Sequence, residues 1–245
     1  MEKIVLTFCI KPSSITIALA TALAIAPVAH AAAGAITWSS VINETGNATD
    51  IVTSGTYVDA ATAGVTTTVN GVLFHGRSTA GTGTIGFAGS GITISNIIDG
   101  AGPGPGAAPG TWNAAYQTLV SAGAYGDGNS NQVQITISGL TSGASYTLQI
   151  LEPYWNASYP TTFSDGTNTS GPLNMGVGTS VVPQYVTGTF SATGTTQVVN
   201  LGATAFGVEM FGAIEVRSVP EPPTIAITSM ATLALLRLRR RRRTT

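Results

Sequence analysis

The chain has 245 residues, a formal net charge of −1, only 9% charged residues, and 30 Gly and 12 Pro. Its one cysteine, Cys9, lies ahead of the body of the chain and so excludes both a disulfide framework and a thiol enzyme there. Between positions 34 and 218 two arginines, Arg77 and Arg217, stand against nine carboxylates with no lysine, a net of −7. This composition predicts an acidic surface without a basic patch and argues against nucleic acid as a partner.

The first 31 residues have the parts of a secretory signal peptide. Lys3 and Lys11 make a positive n-region, residues 15–25 an apolar run, and Ala29-His30-Ala31 a small-residue cleavage site after Pro27. Cleavage is expected after Ala31, which leaves residues 34–218, about 185 in number, as one domain able to bury a substantial core.

Short strands separated by Gly, Thr, Ser and Asn follow. A strand is expected over 36–42 with Trp38 as an anchor, a polar loop over 43–50, and a second strand over 56–60. Residues 66–69 and 72–74 read as a hairpin, because Asn70-Gly71 between them supplies the positive φ angles of a two-residue turn. Further strands are expected over 82–87 and 91–94, and the Gly- and Pro-dense stretch 100–110 suits only a loop. A short helix is predicted over 113–122 with Thr111 as its N-cap, since Trp112, Tyr116, Leu119 and Val120 fall on one helical face.

The clearest β signal comes next. Residues 132–138 alternate strictly between apolar and polar, and Tyr146, Leu148 and Ile150 repeat the pattern. The link 139–146 between them resembles the tyrosine corner of fibronectin type III and related sandwiches, in which a Tyr hydroxyl bonds back to the chain upstream. Strands over 185–192, 197–201 and 208–216 complete the set, the last with Val208, Met210, Ile214 and Val216 inward and Glu209, Glu215 and Arg217 outward. The fold expected is all-β, an antiparallel β-sandwich with one short helix. The single mid-chain helix and the strand pattern resemble the jelly-roll sandwiches of galactose-binding-like and malectin-like secreted proteins.

Catalytic signals fail on inspection. Gly81-Thr82-Gly83-Thr84-Ile85-Gly86 satisfies G-x-G-x-x-G, but a strand-like stretch follows where a dinucleotide site needs a helix N-terminus. His75, the body's one histidine, cannot make a two-histidine metal site, and no G-x-S-x-G elbow accompanies it. Asp127, Asn129 and Asn131 alternate as a calcium loop begins, yet Gln132 and Ser138 stand where such a loop needs Gly and Glu, so a polar turn is expected and no cofactor beyond a structural calcium. Asp59, Glu152 and Asp165 could supply a glycosidase pair only if two of them converged across a bond.

One stretch carries a ligand signal. In residues 152–160 Tyr154, Trp155 and Tyr159 sit between Pro153 and Pro160, and rings held on a stiffened loop are what the C–H face of a sugar stacks on. Glu152 and Asp165 are the neighbouring groups for its hydroxyls. The same rings could instead plug one end of the sandwich.

The C-terminal segment, 219–245, is built differently. Pro220-Glu221-Pro222 is followed by an apolar run over 224–236 and then by Arg237 and five consecutive arginines at 239–243. The run rises about 20 Å as a helix, short of the ~30 Å hydrocarbon core, and the arginines hold its end on the cytoplasmic side. This order of parts resembles the PEP-CTERM sorting signal of exopolysaccharide-producing Gram-negative bacteria, with Pro220, Glu221 and Pro222 at the motif. The resemblance implies recognition by an exosortase, a membrane transpeptidase, after export by the secretion machinery and transient anchorage in the inner membrane. It predicts a non-catalytic protein of the cell surface or extracellular matrix, associated with extracellular polysaccharide. A carbohydrate-binding module is the alternative expectation, and a glycoside hydrolase or polysaccharide lyase the third.

Overall fold

Alternating apolar and hydroxyl side chains put most of the body into strands, as the computed structural model shows for residues 34–78, 81–98, 108–126, 132–155, 159–177, 180–203 and 208–220. All of these belong to the unit Ala31–Thr245. The segment read as a signal peptide, the tail beyond Pro220, Asp127, Asn129 and Asn131, and most of the Gly-Pro loop lie outside the described residues. Among the described residues no helix is long and apolar enough to cross a membrane.

The strands in chain order are β1 (Thr37–Trp38), β2 (Ile42–Asn43), β3 (Thr56–Thr62), β4 (Thr67–Val69), β5 (Val72–Gly76), β6 (Gly83–Gly86) and β7 (Ile92–Ile97). Helix α1 (Ala114–Val120) follows, then β8 (Ala124–Gly126), β9 (Gln134–Ser138), β10 (Ser145–Leu151), β11 (Tyr154–Trp155) and β12 (Thr161–Ser164). The rest are β13 (Gly176–Val177), β14 (Gln184–Ser191), β15 (Thr196–Ala203), β16 (Glu209–Phe211) and β17 (Ala213–Ser218). One sheet runs β1-β14-β10-β17-β3-β5-β4 with β2 also on β14, and a second runs β12-β15-β9-β7-β6. Two further two-stranded sheets are formed by β11-β13 and β16-β8. The result is an antiparallel β-sandwich in which, among the described residues, only β3-β5 and β11-β13 pair in parallel.

The interior between the sheets follows from strand period two. Ile135 lies in register between Ile94 and Val199, and all three are fully buried. Leu148, Ile150, Val186, Ile214 and Val216 of the larger sheet face them within one cluster. Each such side chain contributes about 1.5–3 kcal/mol by leaving water.

Expected local devices are present. Asn70 and Gly71 have φ of 51° and 77°, the primed turn that joins β4 to β5. The Thr141 amide donates to the Tyr146 hydroxyl at 2.8 Å, which makes the tyrosine corner, and the Tyr146 ring stacks on Phe190 with centroids 5.5 Å apart.

Three expectations need correction. The cap of α1 is Asn113, whose side chain accepts from the amides of Ala115 and Tyr116, because Thr111 sits a turn earlier, where Trp112 N–H bonds to Pro109 O. The expected strand 36–42 is two short pieces, since β1 and β2 meet opposite ends of β14, where a Cβ on Gly188 would come within 2.5 Å of Ile36. The strand expected over 208–216 breaks at Gly212, where a Cβ would lie 2.6 Å from the Leu151 carbonyl oxygen.

The largest correction concerns charge. Glu209, Glu215 and Arg217 do not point outward to water: they are 3%, 1% and 9% exposed. The outer face of the larger sheet is covered by α1 and the segment around Ile51, forming a second core with Phe74, Tyr116, Leu119, Leu151 and Tyr154. Gln149 fastens that cover, accepting from Val52 N and donating to Asp50 O at 2.7 Å. Six of the seven carboxylates among the described residues are thus buried, all but Asp165, so the described surface carries little acidic charge.

Candidate functional site

The loop singled out by its rings divides between core and surface. Strand β10 ends at Leu151, and Glu152 N then bonds to Gln184 O, which turns the Glu152 side chain fully inside. Tyr154 is 1% exposed and meets Trp112 edge-on at 5.2 Å, while Trp112 meets Tyr116 at 5.8 Å, so Tyr154 is part of an interlocked aromatic packing. Trp155, next along β11, is only half-buried and meets Tyr125 edge-on at 6.3 Å. Tyr159 is half-buried as well. Trp155 and Tyr159 are therefore partly exposed, and Tyr154 is not.

Asp165 does not join them. It lies just past the far end of β12, separated from Tyr159 by that four-residue strand, about 13 Å long, and its carboxylate accepts from the amides of Ile36, Thr167 and Asn168. Burial would raise its pKa, but these amides outweigh it and hold the group below its ordinary value. It ties β1 to a turn. Glu152, inside the core, is likewise withheld from a ligand at the surface.

A different cluster is brought together by the fold. Glu44 follows β2 and bonds through its amide to Pro183 O, while Glu152 follows β10 and bonds to Gln184 O, so two carboxyls arrive from either side of one strand entrance. Neither has a hydrogen-bond partner on its side-chain oxygens, nor does the Tyr116 hydroxyl. Burial pushes the Glu44 carboxyl well above its usual range; the Tyr116 phenol lies near enough to draw it back somewhat without closing a bond of ordinary geometry, and Asp50 and Glu152 push it up further. Burial alone raises Glu152 in the same way. The Tyr154 phenol is pushed up to about 12 by burial and by Glu44.

Burial favours the neutral form of both carboxyls, because an unpaired buried charge costs far more than protonation. Asp50 differs, as it accepts from Thr45 N, Thr45 Oγ1 and Gly46 N. Among the described residues no group of three or more His, Cys, Asp or Glu is arranged to hold a metal ion. The cluster joins residues more than a hundred positions apart, and alternation in sequence carries no sign of it.

Two surface grooves are lined by described residues. One of about 360 Å³ is lined by Tyr57, Asp59, His75, Gly89 and Gly91 among others. Its carboxylate is committed, since Asp59 Oδ2 accepts from Ser90 Oγ at 2.8 Å and Gly91 N at 2.7 Å. The other, of about 490 Å³, is lined by Gly64, Val65, Thr66, Arg77, Ser121 and Ala122. Neither brings two free carboxylates face to face, and Asp59, Glu152 and Asp165 lie at three separate places.

Searches of the chain against family models, curated proteins and solved structures gave no match.

Proposed function

We propose that this chain is an exported, non-catalytic protein of the cell surface or extracellular matrix, sorted through its C-terminal segment by an exosortase-type system and associated with exopolysaccharide. The observation that carries the reading is the succession of Pro220-Glu221-Pro222, apolar run and arginine block behind a body that itself follows a secretory signal. The body supports it by ending at the right place. Among the described residues the last ladder bond runs from Val219 N to Ser145 O at 2.8 Å, and the next residue, Pro220, is exposed, so cutting the chain at the motif leaves every described strand intact. Internal engagement of the described carboxylates favours a binding or structural role over hydrolysis. The finer architecture we infer is jelly-roll-like.

The experiment is intact-mass measurement on protein taken from the native cell envelope. The expected species begins after Ala31 and ends before the arginine block. A chain still ending at Thr245 would refute the sorting reading.

A second reading, a carbohydrate-binding module, is favoured by one observation: Trp155 and Tyr159 remain partly exposed while their neighbour Tyr154 is locked inside. A glycan-array screen of the protein decides it, with binding lost in Trp155→Ala as the supporting outcome.

A further inference from the structure

The two arginines of the body are used in opposite ways. Arg217 is neutralised: its Nη1 pairs with Glu215 at 2.5 Å, and its Nε and Nη2 donate to Gly55 O. Arg77 has no ion pair among the described residues, and its Nη1 is buried with no hydrogen-bond partner. That atom has no accessible surface, whereas the residue as a whole is half-exposed. Here the residue lines the groove of about 490 Å³, held at its rim by the bond from Arg77 N to Gly64 O.

The groove wall is suited to a small hydroxylated ligand. Thr66 and Ser121 contribute hydroxyls, each already placed by one bond, Thr66 Oγ1 accepting from Gly76 N and Ser121 Oγ donating to Thr118 O. Val65 stands at the edge, 67% exposed, as an apolar surface for C–H groups. A volume of this size accommodates one or two sugar rings. Charge then selects the ligand. One guanidinium with no lysine in the body matches a single negative charge, and its planar fork fits the two oxygens of a carboxylate. A phosphate group, at about −1.5 to −2 near neutral pH, carries more charge than this one guanidinium matches.

We propose that the groove around Arg77 is a binding site for a carboxylate-bearing sugar, a hexuronate alone or at a chain end, with the guanidinium on the acid group. This site is distinct from the Trp155 surface and stands whether or not the tail is processed.

The test is titration calorimetry of the full chain with glucuronate, with glucose and inorganic phosphate as parallel arms, at low and high salt. Saturable glucuronate binding in the millimolar range, weakened by salt and about tenfold tighter than glucose, is expected. Arg77→Gln should remove that preference. Val65→Glu, a change at an exposed rim position that leaves the core untouched, should do the same by repulsion, and circular dichroism confirms that it folds. The proposal is overturned if glucuronate does not bind, if glucose or phosphate binds as tightly, or if folded Val65→Glu binds glucuronate unchanged.

Discussion

Arg217 reaches back along β17 to Glu215, two residues earlier on the same face, and the two close a 2.5 Å ion pair beneath the cover of the larger sheet. Burial raises the Glu215 carboxyl, and Arg217 draws it back by hydrogen bond and charge. Removing one partner leaves a buried charge or an unsatisfied acid, so Arg217→Ala should lower stability by about 3–5 kcal/mol. Replacing both residues with apolar side chains of similar volume should cost much less. Urea unfolding of the single and double variants measures the difference; equal losses would show that the pair is incidental.

Glu44 and Glu152 set a dependence on pH with an unusual sign. Their folded pKa values lie above the unfolded value of 4.5, so the native state binds protons more tightly than the unfolded chain. The stability they confer is complete below that value and declines as pH rises toward the folded pKa, by up to about 1.4 kcal/mol per pH unit for each group. Asp165 works oppositely, being held below 3.8, and its contribution is lost only as pH falls under that value. Melting temperature should therefore fall as pH rises above 4.5 toward neutrality. Glu152→Gln should flatten the slope, and a melting temperature that climbs over this range would contradict the assignment.

The tyrosine corner is a single bond with a measurable worth. Tyr146→Phe keeps the ring on Phe190 but removes the acceptor for Thr141 N–H. A loss of about 1 kcal/mol is expected, together with faster amide exchange at Thr141 alone among its neighbours. Global loosening of the sheet in that variant would mean that the ring, not the hydroxyl, sets the corner.

Adjacent rings on β11 should respond differently to truncation. Tyr154→Ala empties the packed junction with Trp112 and should cost about 3–5 kcal/mol, whereas half-buried Trp155→Ala should cost roughly half as much. Thermal melts separate them. On the carbohydrate-binding reading Trp155→Ala also weakens glycan affinity several-fold at unchanged fold, so an affinity equal to wild type removes this surface from consideration.

The strands of this body were legible wherever one face is covered and the other is wet. Gln134 to Ser138 is such a case, as is the first half of β10, Ser145 to Leu148. Legibility failed where both faces are covered. In β17 five consecutive residues are buried, and the rule that sends Glu215 and Arg217 to solvent cannot see a helix laid over the sheet from a hundred residues away. Strand β12 went unnoticed because Thr161-Thr162-Phe163-Ser164 offers one apolar residue, although Phe163 is fully buried. Rings between prolines marked the stretch around Tyr154, but which ring turns inward depends on Trp112 and on Gly176, where a Cβ would lie 2.6 Å from the Tyr154 ring.

The position of β17 also determines how the body would bear load. The chain leaves the fold after Ser218 from a strand held on both sides, by six register pairs with β10 and six with β3. Antiparallel ladder bonds lie across the strand direction, so a pull along β17 strains both ladders in shear rather than opening an edge one bond at a time. An edge strand such as β1, held at two pairs, would peel under far less force. A body tethered through this end would resist extraction from its anchorage by the strength of its central sheet.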